Sequence, residues 1–180
     1  LSRLRYPFSS VVPNIDETPK VNEPASTLAL RLALEKALAV SAHHPRSVVI
    51  GSDQVADLNG TLLGKPGTHQ RAIEQLTQMS GQTVLFQTAV AVVCQQTHFV
   101  QQELATVSVT FKCLSPELIE SYLRAEMPYD CAGSAKSEGL GIMLLERIDS
   151  DDPTALIGLP LIRTCRLLSL AGIALLGASS

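Results

Sequence analysis

The chain has 180 residues, of which 46% are hydrophobic, and a mean hydropathy of +0.21. This length and apolar content are enough for one well-packed globular domain and argue against a disordered chain. The formal net charge of −3 argues against a nucleic-acid-binding surface, because contacts to backbone phosphates need a basic stripe and none is visible.

A membrane span and a cysteine-based site are also not expected. The longest nearly uncharged apolar run, residues 167–178, contains two glycines and is too short to cross a bilayer. The four cysteines form no C-x-x-C pair, so neither a zinc site nor a disulfide framework is signalled. A reducing cytoplasm is the location that fits best.

The first predicted element is a helix over residues 24–42, which is rich in Ala and Leu and begins with a proline suited to a first turn. On this helix Arg31 and Glu35 form an i,i+4 pair on the solvent side. Lys36 shares its face with small apolar residues instead. An amine on such a face reaches either to the edge of the apolar surface or into a cleft, and the sequence leaves both open.

The remaining predicted elements alternate between strands and helices. They are a short buried strand over 48–51, a helix over 68–80 capped by Thr68, strands over 83–93 and 104–111, a helix over 115–125, a strand over 142–148 and a last helix over 160–171. Interspersed elements of this kind predict an α/β fold with a mixed, twisted sheet and flanking helices.

The strand over 48–51 is expected to end on Ser52-Asp53-Gln54. Ligands of α/β proteins gather where strands end, so a carboxylate at this position indicates the mouth of a site. The alternative is that Ser52 or Asp53 only caps a turn.

Gly64-Lys65-Pro66 follows a dozen residues later. Proline favours an extended conformation for the preceding lysine, and Gly64 permits a close turn back toward the strand. The lysine would then be held on stiff backbone, although an ordinary β-turn explains the same tripeptide.

Two further loops carry charged groups: Asp16-Glu17-Thr18-Pro19 and Lys136-Ser137-Glu138-Gly139. Each alone is typical of a polar surface loop. Together with Asp53 and Lys65 they supply what hydrolysis of a polyphosphate requires: oxygen ligands for a divalent cation, a base for water, and ammonium groups for phosphate oxygens. Neither a P-loop nor a G-x-G-x-x-G motif is present, which argues against P-loop and Rossmann readings.

The order of short motifs resembles the Maf family of nucleotide pyrophosphatases over nearly the whole chain, as one domain covering residues 1–180. The motifs are DETP, EKA, GSDQ, GKP, AGS-x-KSEG-x-G and GLPL. The resemblance implies an inosine-triphosphatase-like fold with two lobes around a cleft, often in a homodimer. It also implies cleavage of a nucleoside triphosphate to the monophosphate and pyrophosphate with a divalent metal, Mg²⁺ or Mn²⁺.

Two positions distinguish subgroups of this family. Gln54 and Glu138 resemble the 7-methyl-GTP pyrophosphatases, whereas dTTP/UTP-type members resemble SDT with an IQG loop. A carboxylate accepts hydrogen bonds from the guanine N1 and N2 edge, and its charge favours the cationic methylated base. The alternatives are a dTTP/UTP pyrophosphatase and a nucleotide-binding regulator of cell division that does not hydrolyse its ligand.

The resemblance also implies roles for individual residues. Asp53 is the expected base and, with Glu17, a metal ligand; phosphate contacts are expected from Lys36, Lys65 and Lys136; base selection is expected from Gln54 and Glu138. The sequence departs from the family pattern in lacking the initial strand and its S-x-S-x-x-R segment, and in having Ala135 where an aromatic residue is common.

Overall fold

The computed structural model describes residues 1–176, so the end of the expected domain and of the apolar run near it lie outside the described residues. The strands are β1 (Val49–Leu58), β2 (Thr61–Leu63), β3 (Thr83–Cys94), β4 (Phe99–Phe111) and β5 (Leu145–Asp149). The helices are α1 (Ala25–Ser41), α2 (His69–Met79), α3 (Pro116–Glu126) and α4 (Leu161–Leu170). Short 3-10 helices cover Ser2–Leu4, Ala132–Ser134, Leu140–Leu144 and Ala155–Ile157. In this part of the chain, no helix is long and apolar enough to cross a membrane.

The strands form one sheet in the order β2-β1-β3-β4-β5. The α/β class with flanking helices is confirmed, but every described pairing is antiparallel, so the sheet is not mixed. Short connections explain much of this difference. β1 and β2 are joined through Asn59 and Gly60, which have φ angles of 52° and 87°, and residues 95–98 join β3 to β4. Turns this short connect only antiparallel strands.

The ends of the helices follow the predicted caps closely. Thr68 Oγ1 accepts a hydrogen bond from the backbone N–H of Arg71, and Ser115 Oγ accepts one from Leu118. The strands deviate more. β4 begins at Phe99 rather than 104. The prediction missed its first residues because they are mostly exposed and lack the apolar alternation that predicts a strand. Residues 140–144 form a 3-10 helix, so the strand predicted from 142 begins only at 145.

The core lies on both faces of the sheet because alternate residues of β3 point to opposite sides. On one face α1 packs against Ala89, Ala91 and Val93. On the other face α4 packs against Val90 and Val92, and the same side is covered by α2 and α3 over a second apolar cluster. β1 therefore lies between two covered layers, and its polar residues must find partners in one layer or the other.

Candidate active site

Asp53 lies in the middle of β1, not at its end. The backbone ladder to β3 continues through Asp53, which is opposite Ala89, and runs on to Asp57. The prediction that the strand ends at Gly51 is therefore wrong. The polar side chains of this segment are accommodated because each is hydrogen-bonded to one of the covering layers.

Helix α1 packs directly against β1 because small residues line the contact. Ala29, Ala33 and Ala37 are fully buried there. A Cβ atom placed on Gly51 would lie 2.2 Å from the carbonyl oxygen of Ala33 and 2.7 Å from the amide nitrogen of Ala37. Glycine is thus required at this position to bring the helix, and with it Lys36, down onto the strand.

Lys36 extends from α1 and joins two acidic side chains. Its Nζ lies 2.6 Å from Asp53 Oδ1 and 2.8 Å from Glu17 Oε1. The side chains of Lys36 and Asp53 are 18% and 12% exposed, whereas that of Glu17 is 50% exposed. The Lys36 side chain therefore points inward to Asp53 and Glu17 and does not extend to the edge of the apolar surface. We call Glu17, Lys36 and Asp53 the Lys36 cluster.

The environment shifts the pKa of each group in the Lys36 cluster. Desolvation raises the pKa of Asp53, and the Lys36 ammonium opposes this only in part. The hydrogen bond from Lys36 lowers the pKa of Glu17. Burial lowers the pKa of Lys36, but its hydrogen bonds to Asp53 and Glu17 outweigh burial and leave the pKa raised. Lys36 is therefore protonated at neutral pH, and burial makes the Asp53 carboxylate more basic than an exposed aspartate.

Lys65 lies near enough to the Lys36 cluster for its charge to act on both carboxylates. Its positive charge acts to lower the pKa of both Glu17 and Asp53, although Lys65 itself is exposed. Gly64 does not adopt a positive φ angle, whereas Gly67, at the end of the same loop, has a φ angle of 68°. A lysine on this exposed loop is placed to meet an anionic ligand above the buried charges.

The loop that carries Glu17 is fixed to α1 by Arg31. The guanidinium group donates to both carboxylate oxygens of Glu23, at 2.7 and 2.8 Å, and to the carbonyl oxygen of Thr18 at 3.1 Å. The predicted bond to Glu35 is also present. The Glu23 side chain is 5% exposed, and hydrogen bonds from Arg31 lower its pKa to about 2. Sequence reasoning missed this contact because Glu23 precedes the helix, where no periodicity pairs it with Arg31.

Gln54 faces the opposite side of the sheet from Asp53, since neighbouring residues of a strand alternate. Its Nε2 donates to Thr88 Oγ1 at 2.9 Å and to the carbonyl oxygens of Ala155 and Leu156 at 3.0 and 3.1 Å. The amide hydrogens therefore hold the 3-10 turn Ala155–Ile157, which precedes the GLPL segment, and only Oε1 remains to meet a ligand.

Lys136 and Glu138 lie on a loop that packs against α3. The backbone N–H of Lys136 donates to Tyr122 Oη at 3.0 Å, and its Nζ lies 3.3 Å from Asp130 Oδ1. Glu138 is exposed. Within residues 1–176, no hydrogen bond or ion pair links either side chain to the Lys36 cluster. The structure thus brings Lys65 to the cluster, and a shared site with Lys136 and Glu138 stays a prediction.

The donors of the Lys36 cluster fit a hard divalent cation. Asp53 Oδ1 and Glu17 Oε1 both lie within 2.8 Å of Lys36 Nζ, so the two carboxylates are close together, and among the described residues the second oxygen of each accepts no hydrogen bond. Mg²⁺ usually takes one or two carboxylates and completes its shell with water and substrate phosphates. In the described part of the chain, no group of three or more His, Cys, Asp or Glu side chains could hold a metal. A cation at this site would therefore depend on phosphates of its ligand.

The sheet, its covering helices and the Lys36 cluster with Lys65 define an α/β protein with a charged site suited to an anionic ligand and a metal. The chain belongs to the Maf family, because the family model described as Maf-like protein matches residues 1–171. The family resemblance read from the short motifs is thereby confirmed.

Three similar proteins carry the same name. A 7-methyl-GTP pyrophosphatase of Polaromonas sp. is 66% identical over 175 residues, which cover 97% of this chain and 80% of that protein. Proteins with the same name from Albidiferax ferrireducens and Cupriavidus metallidurans are 62% and 52% identical over 178 residues, or 99% of this chain and 89% of each relative.

Proposed function

We propose that this protein is a nucleoside triphosphate pyrophosphatase that hydrolyses 7-methyl-GTP to the nucleoside monophosphate and pyrophosphate. Membership of the Maf family and the names of the relatives support the reaction class and the substrate. The structural observation that carries the proposal is the Lys36 cluster, in which a partly buried ammonium group holds two carboxylates 2.6 and 2.8 Å away, with the charge of Lys65 acting on both.

In this reaction the oxygen of a water molecule forms a bond to the α-phosphorus while the bond from that phosphorus to the bridging oxygen breaks, and pyrophosphate leaves. Asp53 accepts the proton of the water. Its raised pKa makes the carboxylate a stronger base than an exposed aspartate. Lys36 fixes the orientation of this carboxylate through its bond to Oδ1. Lys65 stabilises negative charge on the phosphate oxygens.

A divalent cation, Mg²⁺ or Mn²⁺, held by Glu17 and Asp53 would neutralise charge on the phosphates. Glu17 is suited to this role because its lowered pKa keeps it ionised and its half-exposed carboxylate is reachable from solvent. Its loop is anchored by Arg31, so the carboxylate is presented from fixed backbone.

Selection of the base is assigned to Glu138 and Gln54, with Lys136 on the phosphates. The exposed Glu138 carboxylate is free to accept hydrogen bonds from a guanine edge, and its charge attracts the cationic 7-methyl base. The pair of Lys136 with Asp130 is open to solvent on the acidic side, so the ammonium can exchange that partner for a phosphate at little cost. Gln54 acts through its remaining oxygen or through the turn that it holds.

Pyrophosphate release from a panel of 7-methyl-GTP, GTP, dTTP and UTP, with Mg²⁺ and with Mn²⁺, tests the proposal. We expect the highest kcat/KM for 7-methyl-GTP and no release after chelation of the metal. Equal or faster turnover of dTTP or UTP would overturn the substrate assignment. Tight nucleotide binding without product would favour the non-hydrolysing regulator.

The homodimer and the cytoplasmic location stay predictions. Light scattering of the purified protein tests the first, and fractionation of cells that express the complete protein tests the second.

A further inference from the structure

The side chain of Gln75, which belongs to none of the short motifs, contacts two loops that carry proposed site residues. The lysine loop, residues 64–67, carries Lys65, and the KSEG loop, residues 131–139, carries Lys136 and Glu138. Gln75 lies on α2 between them and is partly buried.

Gln75 is hydrogen-bonded to both loops at once. Its Nε2 donates to the carbonyl oxygen of Gly64 at 3.0 Å, and its Oε1 accepts from Ser134 Oγ at 2.6 Å. A side-chain amide provides donors and an acceptor on one rigid plane, so it can fix two segments relative to each other. A carboxylate or an apolar side chain of the same size cannot make both contacts.

The bond to Ser134 holds a turn that is otherwise costly. Ser134 has a φ angle of 56° and follows Gly133, whose φ angle is 70°, so a non-glycine residue occupies the left-handed region. Ser134 is fully buried, and leaving its hydroxyl without a partner would add a desolvation cost. A Cβ atom on Gly133 would lie 3.4 Å from the ring of Phe86, so the turn also packs tightly onto the sheet.

A second contact involves Gly67, at the other end of the lysine loop. The N–H of Gly67 donates to the carbonyl oxygen of Tyr129 at 3.0 Å, and the Tyr129 hydroxyl lies 2.8 Å from His69 Nδ1. This contact joins the end of the lysine loop to the segment that leads into the KSEG loop. The two residues that Gln75 contacts, Gly64 and Ser134, lie within two residues of Lys65 and Lys136.

We propose that Gln75 is a positioning residue, which couples the lysine loop to the KSEG loop and so fixes the phosphate contact of Lys65 relative to the base contact of Glu138. Gln75 itself touches no substrate. The inference rests on the proposed function for the roles of these loops, but the mechanical coupling does not depend on which nucleotide is hydrolysed.

The test compares Gln75→Met, which removes both bonds, with Gln75→Glu, which keeps the acceptor for Ser134 and loses the donor to Gly64. Gln78→Met is the matched control, since Gln78 is exposed on the same helix. Values of kcat and KM are measured for 7-methyl-GTP and for GTP, with thermal unfolding recorded for each variant. Hydrogen exchange of the two loops is followed in the free proteins.

For Gln75→Met we expect KM for 7-methyl-GTP to rise about five- to tenfold and the preference over GTP to shrink, with kcat changed less. Gln75→Glu should raise KM while keeping most of the preference, because the Ser134 bond remains. Hydrogen exchange should become faster in both loops for Gln75→Met and mainly in the lysine loop for Gln75→Glu.

Exchange and KM in Gln75→Met equal to those of Gln78→Met would overturn the coupling. If the wild-type protein releases no pyrophosphate from any nucleotide, the proposed function fails, and the exchange measurement still decides the coupling on its own.

Discussion

Replacement of Asp53 by Asn separates the chemistry of this carboxylate from its contribution to the fold. In the wild type, Lys36 Nζ lies 2.6 Å from Asp53 Oδ1. The amide oxygen of Asn can still accept this hydrogen bond, but the substitution removes the negative charge and the basic site. Loss of a general base costs about 10²–10⁴ in kcat, which corresponds to about 3–5 kcal/mol of transition-state stabilisation.

Asp53→Asn should lower activity without lowering stability. Because desolvation raises the pKa of Asp53, the folded protein binds a proton at this group more readily than the unfolded chain. The contribution of Asp53 to the free energy of unfolding is therefore full below the ordinary pKa of 3.8. It is lost as the pH rises through the raised pKa of the folded protein. At neutral pH the charged form disfavours folding, so a neutral amide should leave the melting temperature unchanged or raise it.

The assay measures kcat with saturating 7-methyl-GTP and the melting temperature of the same preparation. Asp57→Asn is the control, because Asp57 lies on the same strand and face, and its Oδ1 only accepts the N–H of Gly60, which an amide oxygen can also do. Turnover by Asp53→Asn within about tenfold of wild type would refute the assignment of Asp53 as the base. A large fall in melting temperature would refute the account of its pKa.

Three further changes test the surrounding structure. Lys36→Met leaves two carboxylates facing each other, so their pKa values should rise, and the pH dependence of kcat/KM measures this change. KM for the nucleotide should also increase. Glu23→Gln should flatten the loss of stability that the wild type shows between pH 4.5 and about 2, because the pKa of Glu23 is lowered; urea unfolding at about pH 5 and about pH 3 measures this. Gly51→Ala should cost about 1–3 kcal/mol or more through its clash with α1, seen as a fall in melting temperature, whereas Gly64→Ala has open space and should cost little.

The helices were predictable from the sequence because their signals are local. Thr68 and Ser115 act as caps within one turn of the residues that they cap, and each helix end was found within about a residue. The strands were less predictable because their extent depends on a partner strand. Phe99 and its neighbours carry no apolar alternation, yet they pair with β3 because β3 continues alongside them.

The same distinction applies to the site. Short motifs marked four residues whose side chains interact in the structure: Glu17, Lys36, Asp53 and Lys65. The residues that support them could not be predicted, because the contacts are made across long stretches of chain. Arg31 reaches back over the start of α1 to Glu23. Gln75 joins two loops that are separated along the chain by α2, β3, β4 and α3. No local pattern marks such residues.

The extension of β1 past Gly51 changes how the GSDQ motif must be understood. In a loop, Asp53 and Gln54 could have faced one ligand; in a strand they face opposite layers, and Gln54 holds the turn that begins at Ala155. If Gln54 affects the choice of base, most of its effect must therefore pass through that turn or through the shape of the sheet. A direct contact with the reacting phosphates is excluded for Gln54 as long as they bind beside Lys36. In the proposed mechanism the motif combines a catalytic position with a structural one. Substitution of Asp53 should therefore act through kcat, and substitution of Gln54 through KM and the selectivity between bases.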